Sequence, residues 1–368
     1  MSQALEVLFL CHGPEGSPAV DRAAAFACAW EGQVRAQVVP RAAGLLRAGG
    51  AFWRELERLR PRVVWVVDVS PAGVLAALAW ARWGQRARVV VDTGDAVFAL
   101  ARAARLRGPV GLGLTWGLER LALGAADHVV TRGSAHAELL EARGIAASVV
   151  QDGVDTALFR PLDVPSLRAD LAPGGELIVG FVGSLGWNAR RSTCYGWELI
   201  EALAALRDVP VRGLVIGDGP GLPRLRARAA DLGLSERIRF VGRVALADLP
   251  PLLCALDVAL STQSDDLVGQ VRTTGKLPLY LACGRFVLAT RVGEAARVMD
   301  PAQLLAFEGA HDPRYPARLA GRLRELLADR SALAAVRARN RALAEERFAY
   351  PVLAKRALKV LERVGLHG

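Results

Sequence analysis

Short runs of apolar, mostly β-branched residues recur along this chain, and each gives way to a stretch of helical composition. Strands joined by tight turns pair antiparallel, whereas strands separated by helices return side by side in parallel. The alternation therefore predicts an α/β chain built on parallel sheets. The first set of strands is predicted at Glu6–Cys11, Val34–Val39, Val63–Val67, Arg88–Val91, His128–Thr131 and Ser148–Val150. Helices are predicted at Ser17–Trp30, in the basic and aromatic segment Arg41–Arg60, from Pro71 to about Trp83, after Asp95, after the glycine-punctuated Gly108–Gly113, and at Ala135–Arg143.

The pattern breaks at QDGVD, Gln151 to Asp155, and the stretch Leu162–Gly175 is rich in Pro, Asp and Gly, as a linker should be. A second alternation follows, with strands at Leu177–Val182, Val211–Ile216, Ile238–Val241, Val258–Leu260 and Phe286–Ala289, and one near Leu304. From Pro313 the chain reads as helical, and the amphipathic segment Tyr350–Val364 is expected to pack back across the first domain. The boundaries that follow are 1–160, 161–345 and 346–368.

A chain of 368 residues can bury two cores, and no charge-free run approaches membrane-spanning length. The N-terminal MSQALEVLFLCHGPEGS has no basic leader and too short an apolar run for a signal peptide, so a cytoplasmic protein is expected. Cys11, Cys28, Cys194, Cys254 and Cys283 are scattered without metal-ligand spacing, which predicts buried thiols and no metal site. The net charge of +10 suits an anionic partner. Nearly all the basic residues are Arg, however, and no basic run is interleaved with aromatics, so nucleic acid is excluded as a partner.

One stretch draws that anion to a place. In GQVRTTGKLPLYLACGRFVLAT, Gly269 to Thr290, Thr273 or Thr274 can cap a helix whose first turn holds Pro278 and whose end is marked by Gly284. The amides of Thr274, Gly275, Lys276 and Leu277 would face a phosphate there, flanked by Arg272 and Lys276. The plainer alternative is an ordinary α/β helix with two solvated cations.

The order of motifs resembles the nucleotide-sugar glycosyltransferases of the GT-B fold, specifically the retaining GT4-like group. QDGVDTALFRP looks like the linker signature of that family. FVGSLGWNARR resembles the first strand and loop of its second domain, and LVIGDGPGLPRLRARAADLGLSERIRFVGRVALADLPPLLCALDVALS its nucleotide-binding core. LPLYLACGRFVLAT matches the helix–strand unit that carries the donor-binding Glu, but Leu279 stands in its place. Ser184 stands where an Arg is usual, with Arg190 and Arg191 coming later.

The resemblance implies two Rossmann-like domains facing each other. A nucleotide diphosphate sugar would be held mainly by the second domain, with an acceptor (a sugar, lipid-linked sugar or small molecule) on the first. It implies a hexosyltransferase working in polysaccharide or glycoconjugate biosynthesis, with retention and without metal or other cofactor. A catalytically silent GT-B protein that binds nucleotide or scaffolds a partner enzyme is the alternative that Leu279 raises, and an epimerase of the same fold is a third.

On the donor side the candidates are Ser184, Arg190, Arg191, Arg243 and Val244 after the Ile238–Val241 strand, and Asp218 in a Gly-Asp-Gly turn, with Gly13 and Gly16 after the first strand. Arg suits diphosphate through its fixed fork of donors. The catalytic candidates are Asp92 and Asp95, whose spacing places both near one loop edge, and His12. Asp95 could equally cap the helix that follows it. The mixture of Arg, Leu, Phe and Trp in Arg41–Arg60 raises a peripheral contact with the inner membrane face, although Gly49-Gly50 would interrupt the helix there.

Overall fold

The computed structural model describes residues 6–104, 107–188 and 193–366, apart from the side chains of residues 84 and 85. The chain forms two compact units. The first comprises Met1–Gly153, Gln270–Thr273 and Phe348–Gly368, and the second Val154–Gly269 and Thr274–Arg347.

In chain order the first unit runs β1 (Val7–Cys11), α1 (Pro18–Ala29), β2 (Ala36–Val39), α2 (Leu45–Leu59), β3 (Val63–Val67), α3 (Pro71–Trp80), β4 (Arg88–Thr93), α4 (Val97–Ala104), α5 (Pro109–Ala125), β5 (His128–Thr131), α6 (Ser134–Glu141) and β6 (Ala147–Val149). All six strands are parallel in the order β2-β1-β3-β4-β5-β6. The central strands β1, β3, β4 and β5 are buried on both faces, which is why they read as continuous apolar runs and not as alternating ones, and the edge strands β2 and β6 are half-buried.

One face of this sheet carries α1 and the C-terminal helix, around Phe26, Trp30, Leu353 and Leu361. The other carries α2, α3 and α5, around Phe52, Leu56, Val74 and Leu123. Three sequence expectations need correction here. α2 runs unbroken through Gly49 and Gly50, because its apolar stripe of Ala48, Phe52 and Leu56 is held in the core. α5 starts at Pro109 and absorbs most of the Gly108–Gly113 stretch, with Pro supplying the fixed φ of a first turn. β4 extends to Thr93, so Asp92 lies inside a strand.

The second unit holds α7 (Pro165–Leu171), β7 (Leu177–Val182), the short antiparallel pair β8 (Trp187–Asn188) and β9 (Thr193–Cys194), α8 (Trp197–Ala204), β10 (Val211–Ile216), α9 (Leu222–Asp231), β11 (Ile238–Gly242), α10 (Leu249–Ala255) and β12 (Val258–Ser261). Next come α11 (Leu267–Val271), α12 (Lys276–Ala282), β13 (Phe286–Thr290), α13 (Gly293–Val298), β14 (Leu304–Leu305), α14 (Tyr315–Ala328), α15 (Ser331–Ala335) and α16 (Arg337–Arg347), and then α17 (Tyr350–Arg363), the helix that packs on α1. The last residues of α11 cluster with the first unit. The parallel sheet of the second unit has the order β11-β10-β7-β12-β13-β14. Counted within the unit this is 3-2-1-4-5-6, the doubly wound order, whose direction reverses between β7 and β12. The stretch Leu162–Gly175, expected as linker, contains α7, whose Arg168 donates to the Ala255 carbonyl and pairs with Asp257.

Candidate functional site

In a doubly wound sheet the strands on either side of the reversal send their following loops apart, which opens a crevice at their carboxyl ends. In the second unit β7 ends there on Gly183-Ser184, and β12 on Ser261-Thr262. Tyr195 is fixed beside this edge. Its hydroxyl donates to the Leu260 carbonyl at 3.1 Å, and its ring meets Phe181 edge-on at 4.7 Å. Gly196 permits this placement: it sits at φ 94°, and a Cβ there would lie 2.1 Å from the Phe181 ring.

Lys276, the first residue of α12, lays its ammonium over the Tyr195 ring, 3.4 Å from the centroid. The same Nζ lies 3.3 Å from where a Gly183 side chain would begin. A positive charge thus stands at the crevice, carried on an aromatic face. α12 is held in turn by Tyr280, whose buried hydroxyl accepts from the Val182 amide at 2.8 Å.

The Gly217-Asp218-Gly219 turn shapes the neighbouring edge. Gly217 has φ 137°, and a Cβ on it would stand 1.9 Å from the Gly183 carbonyl oxygen. Asp218 accepts from the Gly219 amide with its side chain and from the Leu185 amide with its carbonyl. Ser184 is exposed beside this turn, Arg243 is exposed after β11, and Val244 is half-buried. Arg190 and Arg191 lie outside the described residues.

The GQVRTTGK stretch differs from expectation. α12 is capped by Gly275 without a side-chain hydrogen bond. Thr273 instead donates to Asp152 at 2.7 Å, and Thr274 lies 3.4 Å from Ser261. The Leu277 amide, expected to face a phosphate, donates to the Thr274 carbonyl. Arg272 and Thr273 belong to the first unit, whereas Thr274, Gly275, Lys276 and Leu277 belong to the second. Arg272 pairs with Asp95, Nε to Oδ1 at 3.1 Å.

In the first unit the strand order reverses between β1 and β3, which places His12 and Asp68 at the crevice. The His12 amide donates to the Val67 carbonyl, and its buried Nδ1 has no hydrogen-bond partner among the described residues. Burial, and then the Arg41 charge, lower its pKa, so the neutral imidazole is favoured. Ser17 Oγ is likewise buried without a partner. Gly13 makes room for it, since a Cβ there would fall 2.0 Å from that oxygen, and Gly16 turns the loop at φ 72°.

Asp92 and Asp95 do not share a loop edge. Asp92 is wholly buried and takes Arg22 at 2.8 Å, Arg132 at 3.3 Å and the Trp65 indole at 3.4 Å. Those donors engage both of its oxygens and make it the anchor of Arg132. Arg132 also holds Asp68 at 2.5 Å and approaches Asp152 at 3.6 Å. Asp68 adopts φ 64° and burial raises its pKa, with Arg132 opposing. Asp95 does not cap α4 either: the carboxylate of Glu119 on α5 accepts from the Phe98 amide at 3.3 Å. Sequence reasoning missed Asp68, Arg132 and Tyr195. Asp68 had a signal, since it ends a strand one residue beyond Val67, the register partner of Asp92.

The model of Glycosyltransferase Family 4 matches residues 2–158, and that of Glycosyl transferases group 1 matches residues 176–329. The chain belongs to these glycosyltransferases. Within the family it is 31% identical to the 2-deoxystreptamine glucosyltransferase of Streptomyces kanamyceticus, over 68% of this chain and 64% of that one. It is 30% identical to the D-inositol 3-phosphate glycosyltransferase of Acidothermus cellulolyticus, over 54% of this chain and 46% of that one. The chain thus spans less than two thirds of the length of these curated relatives. Anabaena HepE, solved in complex with UDP and glucose, superposes with a TM-score of 0.73 at 18% identity, over 97% of this chain and 99% of that one. Together with the two doubly wound sheets, that likeness gives the chain the GT-B fold.

Proposed function

We propose that the chain transfers a hexosyl group from a nucleoside diphosphate sugar to an acceptor hydroxyl, with retention and without a protein-bound metal. The observation that carries this reading is the Lys276 ammonium, seated on Tyr195 at the crevice of the unit that matches the group 1 glycosyltransferases. In such a transfer the bond from the anomeric carbon to the diphosphate oxygen breaks, and its electron pair stays with the diphosphate. The acceptor oxygen forms the new bond and gives up its proton. Negative charge grows on the leaving group, so a cation fixed beforehand at that point stabilises the transition state more than the ground state. On the acceptor side His12 is the group suited to take the proton, being held neutral with Nδ1 unengaged. Asp95 and Arg272 lie in the same unit as partners of one another.

Relatives that act on 2-deoxystreptamine or inositol phosphate support a hydroxylated small-molecule acceptor as the first to try. The test is to incubate the purified chain with a panel of labelled nucleotide sugars, with and without cyclitol acceptors. Released nucleoside diphosphate and the anomeric configuration of the product are measured, in the presence and absence of a chelator. Transfer with retained configuration that the chelator leaves intact is the expected result. Nucleotide binding without donor hydrolysis or transfer across the panel would overturn it in favour of a silent binding protein.

A further inference from the structure

Among the described residues the large apolar side chains left exposed are distributed unevenly. Leu246 and Leu267 lie in the second unit, and all the others lie on or beside α2, α3 and α5, the helices packed on one side of the first sheet. On α5, Val110, Leu114 and Leu121 fall on one stripe at helical spacing, the first two 79% and 69% exposed. Trp116 is exposed at the opposite margin of α5 from that stripe and carries the Arg120 guanidinium over its ring at 5.0 Å. Leu46 at the start of α2 is 90% exposed, and Trp83, just past α3, is 73% exposed. Trp83 also meets Trp53 of α2 edge-on at 5.6 Å, which joins α2 to the end of α3. An unpacked apolar surface of this kind marks an interaction site.

The charges around it have one dominant sign. Arg47 and Arg54 on α2, Arg82 next to Trp83, Arg102 on α4, and Arg107 and Arg120 around α5 are exposed. The acidic residues of the same helices are engaged at home. Glu119 accepts from the Phe98 amide, Glu57 from the Trp53 indole, and Glu55 from Arg58. A second copy of the chain meeting this face isologously would bring arginine against arginine. An anionic bilayer offers what both parts require, acyl chains for the leucines and a layer of negative headgroups for the arginines, with indoles at the boundary.

We propose that this face of the first unit rests on anionic lipid. The Arg41–Arg60 segment that the sequence pointed to contributes Leu46, Arg47 and Arg54 to this face, but its Phe52 and Leu56 are buried and α5 supplies the main stripe. The inference is independent of the donor chemistry, because neither α5 nor its arginines belong to the crevices.

The experiment is co-sedimentation of the whole chain with phosphatidylcholine vesicles, with and without phosphatidylglycerol, at low and high salt. Binding is expected to vesicles containing phosphatidylglycerol, to fall as salt rises, and to be lost about ten-fold or more in a Val110→Glu/Leu114→Glu double variant. Both positions are exposed, so the variant should keep the wild-type melting temperature. A second variant, Arg107→Gln/Arg120→Gln, should lose the preference for anionic over neutral vesicles. Any of three outcomes would overturn the proposal: no binding to either vesicle, full binding by the double variant, or a wild-type dimer that the double variant dissolves. The last would assign the face to self-association, and a face that captured an acidic protein but no vesicle would equally refute lipid.

Discussion

A lysine seated on a tyrosine ring has its charge in place before any ligand arrives, so less side-chain entropy is lost on binding. Lys276→Ala is therefore expected to weaken binding of a nucleoside diphosphate about ten-fold or more while leaving the nucleoside nearly unchanged, since a charged hydrogen bond contributes about 1.5–3 kcal/mol. Tyr195→Leu should produce a smaller loss of the same kind, about two- to five-fold, because the stacking contact is worth roughly 0.5–1 kcal/mol. Calorimetric titration of both ligands checks this, and equal losses for nucleoside and diphosphate would remove Lys276 from the phosphate. Leu279, which the resemblance sets where the family carries its donor-binding Glu, is half-buried on α12. Leu279→Glu should cost only about 1 kcal/mol of stability, because the carboxylate can turn outward, and should raise donor affinity a few-fold. A melt and a donor titration of the one variant read both quantities, and a stable protein with unchanged affinity would place Leu279 away from the donor.

At the scale of elements, the glycines separate into those that geometry requires and those it tolerates. Gly217 combines φ 137° with a Cβ position only 1.9 Å from a backbone oxygen of the next loop. Neither atom belongs to a flexible side chain, so Gly217→Ala should cost about 3 kcal/mol or more and distort the donor-side edge. Gly50 lies inside α2 with nothing near its missing side chain, and Gly50→Ala should stabilise by about 0.5–1 kcal/mol. Chemical denaturation of the two variants beside the wild type tests the contrast, and it fails if both shift in the same direction. The same glycines show why sequence alone misjudged α2: low helix propensity is a local property, and burial of Phe52 and Leu56 outweighs it.

At the scale of the molecule, acid should act first on the unit built around β1 to β6. Burial lowers the pKa of His12, His128 and His136 there, that of His136 from 6.5 to about 4. The unfolded chain then binds protons below about pH 6.5 that the folded chain refuses, so stability is present above that pH and is lost as pH falls toward 4. Asp68 and Glu119, raised by burial, act in the opposite sense as pH falls through their own pKa values, so the wild-type curve is a sum. His136→Leu isolates one contribution, since His136 is buried and its Nδ1 has no partner among the described residues. The variant should escape about 3 kcal/mol of the loss between pH 6.5 and pH 4. Parallel pH–stability curves for the two proteins would refute the burial-driven shift.

The sequence by itself determined the order and kind of the main strands and helices, the parallel pairing, and a GT-B chain of the GT4-like group. Those follow from periodicity and from motifs written in consecutive residues. It also placed a cation at Lys276 and marked His12. Only the tertiary structure decided which neighbour each polar group found. Asp92 and Asp95 look alike in VDTGD, but one points into a core that supplies Arg22 and Arg132, and the other meets Arg272. The start of α4 is satisfied by Glu119 from α5, and the charge of Lys276 is seated on Tyr195, which lies about eighty positions earlier in the chain. Strand and helix are settled by interactions among near residues, so local sequence encodes them. The partners of a buried charge are brought together from distant parts of the chain by packing, and no local pattern carries that information.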